Sequence, residues 1–274
     1  MQVAQSAALS LRATLVNRRV VGPDAFVLEL EVPDMPPRLA PGVFAMLSPA
    51  AGGSQQIARP FSIYDRPTAQ RFTFLIQQLG LGTRELVELA LGAEILCTMP
   101  LGNGFEVATA SEDVVILAGG VGSAPFLQYV RERIAAGAGA NTHMILGARS
   151  RERLYDVASF ENLSFDLRVA TDDGSRGFHG HVIAALAAAL DAGELNSAAR
   201  FLACGPSGLL HGFASFAREH KLRAWLSLET YMGCGFGVCN GCPVATQADG
   251  PLGAWPYART CIDGPVFSLD AIQF

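Results

Sequence analysis

The chain has 274 residues, of which 50% are hydrophobic and 16% are charged. This balance excludes an intrinsically disordered chain, and the length suggests about two domains, with room for a small third. The net charge of −5, without a basic run, makes nucleic acid and anionic lipid poor candidates as partners.

A mean hydropathy of +0.29 is high for a soluble protein, so a membrane segment has to be considered. The longest apolar stretch, residues 114–127, is interrupted by glycine, serine and proline and is shorter than the ~18–20 residues of a spanning helix. Residues 1–15 lack the charged start and unbroken apolar core of a signal peptide. The sequence therefore predicts a soluble, cytoplasmic protein. Alanine-rich stretches account for the hydropathy, although a face buried on a partner subunit would do so too.

The first part of the chain, residues 10–108, has the pattern of short β-strands. The segments LRATLVNRRVV, AFVLELEV and RFTFLIQQL alternate apolar and polar residues with a period of two. Proline and glycine separate these segments. We therefore expect a small antiparallel barrel, with one helix at residues 83–91.

Near residue 110 the pattern changes to an alternation of strands and helices. Residues 114–118 are a continuous apolar run, as expected of a buried parallel strand, and GGVGSAP follows them. Further strands are predicted at 143–146, 166–170 and 200–203, and helices at 126–137, 181–192 and 209–220. This alternation predicts a doubly wound α/β domain.

Four of the six cysteines lie close together near the end of the chain. Cys234, Cys239, Cys242 and Cys261 have the spacing C-x4-C-x2-C-x18-C, whose first three members match a plant-type loop for a [2Fe–2S] cluster. Glycines in MGCGFGVCNGCP allow backbone amides to approach the sulfurs. Structural zinc usually has two paired knuckles, and disulfides need an oxidising compartment, so both are weaker alternatives. Cys97 lies in an apolar stretch and is expected in the core.

Two glycine-containing turns are candidate sites for phosphate groups. Gly119, Gly120 and Gly122 follow a buried strand and precede a helix, where an α/β sheet presents backbone amides to a pyrophosphate. Their spacing departs from G-x-G-x-x-G, and packing of the turn is the alternative explanation. Gly82 and Thr83 open the short helix of the barrel, where they could form an anion site or only an N-cap.

The segment Arg59-Pro60-Phe61-Ser62 stands at the start of a predicted strand. Arg59 could neutralise a phosphate there, but the segment by itself also fits a surface arginine beside a proline. Together with GLGT, PLGNGF, AGGVGSAPF and CGP, it resembles the layout of the ferredoxin–NAD(P)H reductase superfamily. The endings ETYMGCGFGVCNGC and CIDGPVF resemble, more narrowly, electron transfer subunits of dihydroorotate dehydrogenase B.

The resemblance implies three domains, each with its own cofactor. An FAD-binding β-barrel would span residues 1–108, an NAD-binding α/β domain residues 109–223, and a domain for the [2Fe–2S] cluster, held by the four cysteines, residues 224–274. The positions that match the FAD motifs are Arg59, which would contact the pyrophosphate, Pro60, Phe61, Ser62, Leu75, Ile76, Gln77, Gly82 and Thr83. Those that match the nicotinamide nucleotide site are Gly119, Gly120, Val121, Gly122, Pro125, Cys204, Gly205 and Pro206.

Three features depart from the family pattern. Gln77 stands where an arginine is expected, which weakens the case for a phosphate contact at that position. Met99 precedes PLGNGF where glycine is more usual. The gap before Cys261 is longer than expected, so we expect residues 244–258 to form an extra loop, which could contact a partner.

The choice between NADH and NADPH depends on charges near the ribose. Asp172 and Asp173 follow a predicted strand, where a carboxylate can accept hydrogen bonds from a ribose diol and repel a 2′-phosphate. This favours NADH, although a turn or cap is the alternative role for the aspartates. Four arginines would favour NADPH if any of them reached the ribose: Arg149, Arg151, Arg153 and Arg176.

The implied cofactors determine the order of electron transfer. NADH delivers two electrons as a hydride, a two-iron cluster accepts one at a time, and a flavin can do both. If all three are present, electrons pass from NADH to FAD to the cluster and then leave the chain. We expect no catalytic side chains, and we interpret His179 and His181 as a loop residue and a helix start.

The partner implied by the resemblance is the FMN-containing catalytic subunit of a dihydroorotate dehydrogenase, in a heterotetramer with two of each subunit, serving pyrimidine biosynthesis. Related electron transfer subunits serve sulfite reductases, hydrogenases or ferredoxin transhydrogenases, and this is the main alternative. A regulatory module that binds the cofactors without turnover is a third hypothesis. The identity of the electron acceptor separates the first two, and reduction of a bound flavin by NADH excludes the third.

Overall fold

A seven-stranded antiparallel sheet is built from the first part of the chain. The computed structural model describes residues 8–32, 39–51 and 57–273, so residues 1–7, where a signal peptide was not expected, lie outside the described residues. The strands are β1 (Leu9–Val20), β2 (Ala25–Glu31), β3 (Phe44–Pro49), β4 (Arg59–Ser62), β5 (Asp65–Thr68), β6 (Arg71–Gln77) and β7 (Glu94–Leu101), with helix α1 (Leu81–Glu88) between the last two.

This sheet curls into a barrel that a single chain segment closes. The strand order is β4-β3-β7-β1-β2-β6-β5, and every pair is antiparallel. β4 and β5 stand at opposite ends of this order, yet only Ile63 and Tyr64 separate them in the sequence. The Ile63 amide donates to the Val43 carbonyl at 3.0 Å, and the Tyr64 amide donates to the Thr73 carbonyl at 2.9 Å. The expected antiparallel barrel is confirmed.

The barrel interior is apolar because its strands turn every second side chain inward. Leu28 and Leu30 of β2 and Phe72 and Phe74 of β6 are fully buried in one cluster. Burial of each such side chain is worth about 1.5–3 kcal/mol. Cys97 of β7 belongs to the same cluster, so its expected place in the core is confirmed.

The second sheet is parallel except for its last strand. Its members are β8 (Val114–Gly119), β9 (Thr142–Ala148), β10 (Asp166–Thr171), β11 (Phe178–His179), β12 (Arg200–Cys204) and β13 (Arg223–Ser227). A separate pair, β14 (Pro243–Ala245) and β15 (Tyr257–Arg259), precedes β16 (Val266–Ser268), which joins the edge of the sheet antiparallel to β13. The order β11-β10-β9-β8-β12-β13-β16 reverses at β8, since the chain adds β9 on one side and later β12 on the other.

Helices cover both faces of this second sheet. α2 (Phe126–Ala135) and α3 (Val157–Glu161) lie on the face that also meets the barrel, and α4 (Val182–Asp191) and α5 (Ser207–Glu219) lie on the other. Ile116 packs towards α2, whereas the next residue, Leu117, packs towards α4 and α5. The expected doubly wound α/β architecture is confirmed. None of the helices in the described ranges combines the length and apolarity that a membrane span requires.

Two local predictions are corrected by the structure. The helix expected at 83–91 spans Leu81–Glu88 instead. It begins earlier because the Thr83 hydroxyl accepts the Leu79 and Gly80 amides at 3.0 and 3.1 Å, and it ends earlier because the backbone of Leu89 is not helical. His179 lies in β11, paired with Thr171, and not in a loop.

His181 caps α4 as expected, since its Nδ1 accepts the Ala184 amide. The expected extra loop at 244–258 is a β-hairpin: Val244 pairs with Ala258, and only residues 246–256 connect the two strands. The Thr246 amide, which donates to the Pro256 carbonyl at 3.1 Å, extends this pairing.

A buried arginine fixes the segment that joins the two sheets. Arg133, near the end of α2, is 0% exposed although it carries a full charge. Its donors are satisfied by one hydroxyl and four carbonyl oxygens at 2.5–3.1 Å, those of Thr142, Ala108, Thr109, Glu112 and Asn141. Three of these carbonyls belong to residues 108–112, so the arginine ties the connection to the start of β9.

Arg133→Met should therefore destabilise the protein strongly. Four backbone carbonyls would lose a partner, and we expect a loss of at least about 3 kcal/mol in the free energy of unfolding. Urea titration with an unchanged m-value would measure it. The matched control is Arg12→Met on β1, which removes an exposed pair with Glu94 and should cost less than about 1 kcal/mol. Equal effects of the two variants would contradict the structural role of Arg133.

Candidate functional site

The barrel places an arginine against the start of α1. A Cβ built on Gly82 would lie 3.3 Å from Arg59 Nε, so the guanidinium group rests on the first turn of the helix. Arg59 Nη1 also donates to the Ile57 carbonyl at 2.6 Å, which holds the side chain at this place. No acidic residue stands in the first turn of α1. A guanidinium beside free helix amides is an arrangement that binds phosphate.

The predicted FAD residues lie on two strands that meet at the closure of the barrel. Arg59, Pro60, Phe61 and Ser62 form β4 and are all half-buried. On β6, Leu75 is buried on the side of the α/β domain and Gln77 is half-buried, whereas Ile76 is fully buried inside the barrel. The side chain of Ile76 therefore cannot line a surface site, and only its backbone remains available.

Gln77 takes part in a polar network across the two domains. Its Nε2 donates to Asp24 Oδ2 at 2.9 Å and to the Tyr155 hydroxyl at 3.1 Å. Arg153 reaches the same two acceptors at 3.2 and 3.1 Å, and Tyr155 donates to Asp24 Oδ1 at 2.5 Å. Arg153 therefore brings a cation next to Gln77, the position at which the family pattern predicts an arginine.

The charge of Asp24 is stabilised by this network. Burial opposes the charge, but the hydrogen bonds from Tyr155, Gln77 and Arg153 outweigh it and hold the pKa of Asp24 below its usual value. Burial, followed by the bond to Asp24, raises the pKa of Tyr155 to about 12, so its hydroxyl remains a donor at neutral pH.

The glycine turn after β8 meets the turn after β12 with almost no space between them. A Cβ on Gly122 would lie 2.5 Å from the Cα of Gly205, and one on Gly119 would lie 3.0 Å from Pro206 Cδ. Because β8 and β12 are neighbouring parallel strands on either side of the reversal in strand order, this crevice is where an open α/β sheet binds ligands. Val121 and Pro125 continue the same turn into α2.

Residues near Cys204 extend this crevice. Burial raises the pKa of Cys204 to about 12, while a hydrogen bond with Ser227 works in the other direction and the charge of Glu229 adds to the rise. Neither Ser227 nor Glu229 was singled out from the sequence. Parallel pairing of β12 with β13 brings Ser227 opposite Cys204, a long-range contact that the local pattern does not indicate.

The aspartates considered for ribose binding have different surroundings. The carboxylate of Asp173 accepts the amide and hydroxyl of Ser175 at 2.9 and 2.6 Å, so the turn already uses it. Asp172 is exposed beside it. Three of the arginines pair with acidic residues, namely Arg151 with Glu152, Arg153 with Asp24 and Arg176 with Glu161. Arg149 is exposed directly after β9, and its carbonyl accepts the Asp173 amide at 3.1 Å.

The four clustered cysteines come together as two pairs. The sulfurs of Cys242 and Cys261 are 3.2 Å apart and both residues are buried. Cys234 and Cys239 are more exposed and are joined by the Cys239 amide, which donates to the Cys234 sulfur at 3.4 Å. The Gly241 amide donates to the Cys239 sulfur, also at 3.4 Å. In the described part of the chain, no three His, Cys, Asp or Glu side chains surround a point where a single metal ion would sit.

The pKa values of these thiols differ in direction because their surroundings differ. For Cys234, backbone amide donors led by that of Cys239 outweigh the effect of burial and lower the pKa to about 6. Burial and then the neighbouring Cys242 raise the pKa of Cys261 to about 12, with a further increase from the charge of Cys234. A charge in the more exposed pair thus affects the pKa of a thiol in the buried pair. Four thiols with backbone amides directed at sulfur form a donor set that fits a [2Fe–2S] cluster.

Comparisons with known proteins agree with this geometry. Residues 229–273 match the family described as the iron–sulfur cluster binding domain of dihydroorotate dehydrogenase B, and residues 116–214 match the oxidoreductase NAD-binding domain. Among named relatives, the electron transfer subunit of dihydroorotate dehydrogenase B (NAD(+)) from Shouchella clausii is 32% identical over 265 residues, which cover 95% of this chain and 97% of the relative. The subunit of the same name from Desulforamulus reducens is 30% identical over 250 residues, or 90% of this chain and 92% of that one.

Solved structures show the same fold. An NADH-dependent reduced ferredoxin-NADP oxidoreductase, studied for flavin-based electron bifurcation, superposes with a TM-score of 0.81 and 26% identity, covering 99% of this chain and 91% of its own. The ferredoxin reductase of carbazole 1,9a-dioxygenase gives a TM-score of 0.67 at 17% identity, over 80% of this chain and 68% of its own.

The network around Asp24 predicts a pH-dependent stability. Folding lowers the pKa of Asp24. The charged carboxylate therefore stabilises the folded protein fully above the pKa of the unfolded chain, about 4, and this stabilisation is lost as the pH falls through the lower pKa of the folded protein. Asp24→Asn should therefore cost about 1–2 kcal/mol at pH 7. The difference from the wild type should shrink towards zero below about pH 3.

Thermal and urea unfolding between pH 2.5 and 7 would measure this difference. Asp249→Asn, at an exposed site on the hairpin, is the matched control and should follow the wild type at every pH. A cost for Asp24→Asn that did not change with pH would show that the carboxylate charge contributes nothing.

Proposed function

This chain belongs to the family of dihydroorotate dehydrogenase B electron transfer subunits, which carries electrons from NADH through FAD and a [2Fe–2S] cluster to a catalytic partner. We propose which of its residues bind each of these cofactors. The observation that carries this function is the set of four cysteines with sulfur-directed amides, attached to a two-domain reductase fold. When bound, the flavin would accept a hydride and the cluster would pass on single electrons. The chain itself binds and positions these groups.

We assign the FAD site to the barrel, residues 1–108. Arg59 and the amides of Gly82 and Thr83 would hold the pyrophosphate, since the guanidinium lies on the first turn of α1. Pro60, Phe61 and Ser62 would line the flavin from β4. The remaining positions on β6 would contribute the side chains of Leu75 and Gln77 and the backbone of Ile76.

We assign the nicotinamide nucleotide to the crevice of the α/β domain, residues 109–223. The turn Gly119–Gly122, with Pro125, would present backbone amides to the phosphates, and Cys204, Gly205 and Pro206 would border the nicotinamide. Asp172 would accept the ribose hydroxyls, whereas Asp173 would support it by shaping the turn. The carboxylate pair favours NADH over NADPH because it would repel a 2′-phosphate.

The last segment, residues 224–274, would hold the cluster with Cys234, Cys239, Cys242 and Cys261. We propose that the partner is an FMN-containing catalytic subunit, in a complex with two copies of each chain, and that the complex is cytoplasmic. The electrons leave this chain because nothing in the described residues resembles a substrate site with a general base. Relatives named as electron transfer subunits of dihydroorotate dehydrogenase B support this partner.

The surface around the cluster loop suits a docking protein. Phe236 and Val238 are exposed on the loop itself, and Trp255 and Tyr257 are exposed on the adjoining hairpin, with Val238 and Trp255 each more than 70% exposed. A cleft of about 600 Å³ lies between the loop and the hairpin, bordered by Trp255, Tyr257 and Arg259. Since electrons must pass from the cluster to the partner, we propose that the catalytic subunit covers this surface.

The function and the nucleotide site can be tested together by Gly122→Ala. The added Cβ would collide with the backbone of Gly205 and separate the two turns, so kcat/KM for NADH should fall by about 10- to 100-fold. Anaerobic NADH oxidation coupled to orotate reduction, in the complex with the catalytic subunit, is the measurement. The FAD and iron contents should not change.

Gly208→Ala in α5 is the matched control, because a Cβ there meets nothing within 4 Å. It should leave kcat/KM unchanged. A wild-type complex that reduced its flavin with NADH but transferred no electrons to orotate would overturn the assigned partner, and a different redox enzyme recovered with the chain would replace it.

Trp255→Ala tests the docking surface. Large aromatic residues dominate binding energy at interfaces, so association with the catalytic subunit should weaken by about 2 kcal/mol or more, measured by titration calorimetry. Leu91→Ala is the control. Leu91 is also exposed, but it lies just before Glu94, where β7 begins, whereas the opposite end of β7, at Leu101, packs against the cysteines. Equal affinities of the Trp255 variant and the wild type would exclude the hairpin from the interface.

A further inference from the structure

Met46 occupies the boundary between the barrel and the cysteine segment. β3 turns Ala45 and Leu47 into the barrel core, so Met46 points to the outer face of the strand. It is nevertheless only 2% exposed, because the C-terminal segment covers it. It is packed there in a small cluster with Phe44, Leu101 and the two buried cysteines.

On one side, Met46 contacts the strand of the proposed flavin site. In the pairing of β3 with β4, Met46 stands opposite Pro60, the second residue of Arg59-Pro60-Phe61-Ser62. Ala58, which precedes this motif, packs against the same cluster. Met46 therefore packs beside β4, whose position is also held by its backbone pairing with β3.

On the other side, Met46 supports the loop that carries the cysteines. A Cβ on Gly235 would lie only 2.8 Å from Met46 Sδ, so the thioether rests on the backbone directly after Cys234. Gly235 has a φ of +81°, a conformation that glycine adopts without strain. Cys242 and Cys261 belong to the same packed cluster. One side chain thus touches β4 and the cysteine loop together.

We propose that Met46 is a positioning residue for electron transfer from the flavin to the iron–sulfur cluster, an inference that rests on the proposed function. When both cofactors are bound, the reduced flavin would supply two electrons, one at a time, and would release its proton to solvent, and the cluster would pass each electron on to the partner. Met46 takes no electron. It keeps the strand under the flavin and the loop around the cluster at a constant separation.

The chemistry of methionine fits this role. An unbranched thioether fills irregular gaps between elements, and its removal leaves a cavity that the surroundings close only in part. A cavity at Met46 would allow the cysteine loop to move relative to β4. Replacement of a methionine that packs only inside the barrel should not change the distance between β4 and the cysteine loop.

The test compares Met46→Ala with Met99→Ala, which removes an equally buried methionine from the barrel core and not from the cluster that holds Cys242 and Cys261. In the full chain with FAD and cluster, anaerobic stopped-flow measurements separate reduction of the flavin by NADH from reduction of the cluster. Met46→Ala should slow the second phase about tenfold, a loss typical of small misplacement, and leave the first unchanged. Met46→Leu, which conserves volume, should restore the rate.

A second readout does not depend on activity. Hydrogen–deuterium exchange of peptides covering residues 232–238 should be faster in Met46→Ala and unchanged in Met99→Ala, with or without the cofactors. If Met46→Ala does not fold, Met46→Val removes less volume and is measured in the same way. Equal cluster reduction and equal exchange in the Met46 and Met99 variants would overturn the proposal. Failure of the wild type to bind FAD or iron, or to be reduced by NADH, would instead overturn the proposed function.

Discussion

The crossing of the chain from β4 to β5 is the constraint on which the other parts of the structure depend. It closes the barrel through amides at Ile63 and Tyr64, and it begins with the segment assigned to the flavin. Its Tyr64 hydroxyl donates to Asp156 at 2.9 Å, and its Tyr64 carbonyl accepts the Gln128 amide, so the α/β domain is attached to the same segment. Pro60 of this segment pairs with Met46, and Met46 in turn packs against the cysteine loop at Gly235.

The relative position of the two large domains follows from a shared apolar core with polar contacts at its edge. Val27 and Leu75 of the barrel are buried in one cluster with Leu127 and Leu154 of the α/β domain. Two ion pairs, of Arg19 with Asp156 and of Arg153 with Asp24, also join residues of the two domains. Apolar burial supplies most of the free energy, and the charged groups add directional contacts between the two domains. A nucleotide in the crevice would therefore meet a flavin on the barrel in a geometry fixed by the protein.

Local patterns in the sequence predict the elements of this fold well, because alternation and apolar runs reflect how each strand is buried. The cysteine spacing likewise predicts three of the four proposed cluster ligands, since Cys234, Cys239 and Cys242 lie on one short loop. The closure of the barrel, the partners of Gln77 and the proximity of Glu229 to Cys204 could not be predicted in this way. Each joins residues that are far apart in the chain, and their contacts depend on strand order, which no local period encodes. The hairpin at 243–259 was missed as a strand pair because its strands have only three residues each.

The four clustered cysteines differ in burial, so the proposed cluster site has a buried side and an exposed side. Cys242 and Cys261 face the barrel, packed with Met46 and Leu101, whereas Cys239 is exposed on the loop that also exposes Val238. Cys234 is half-buried and is followed by Gly235, on whose backbone Met46 rests. A cluster held by these four thiols would therefore have two ligands packed against the barrel and two nearer the surface. The cysteine segment thus buries one pair of thiols against the barrel and leaves the other pair on the side that the proposed catalytic subunit would cover.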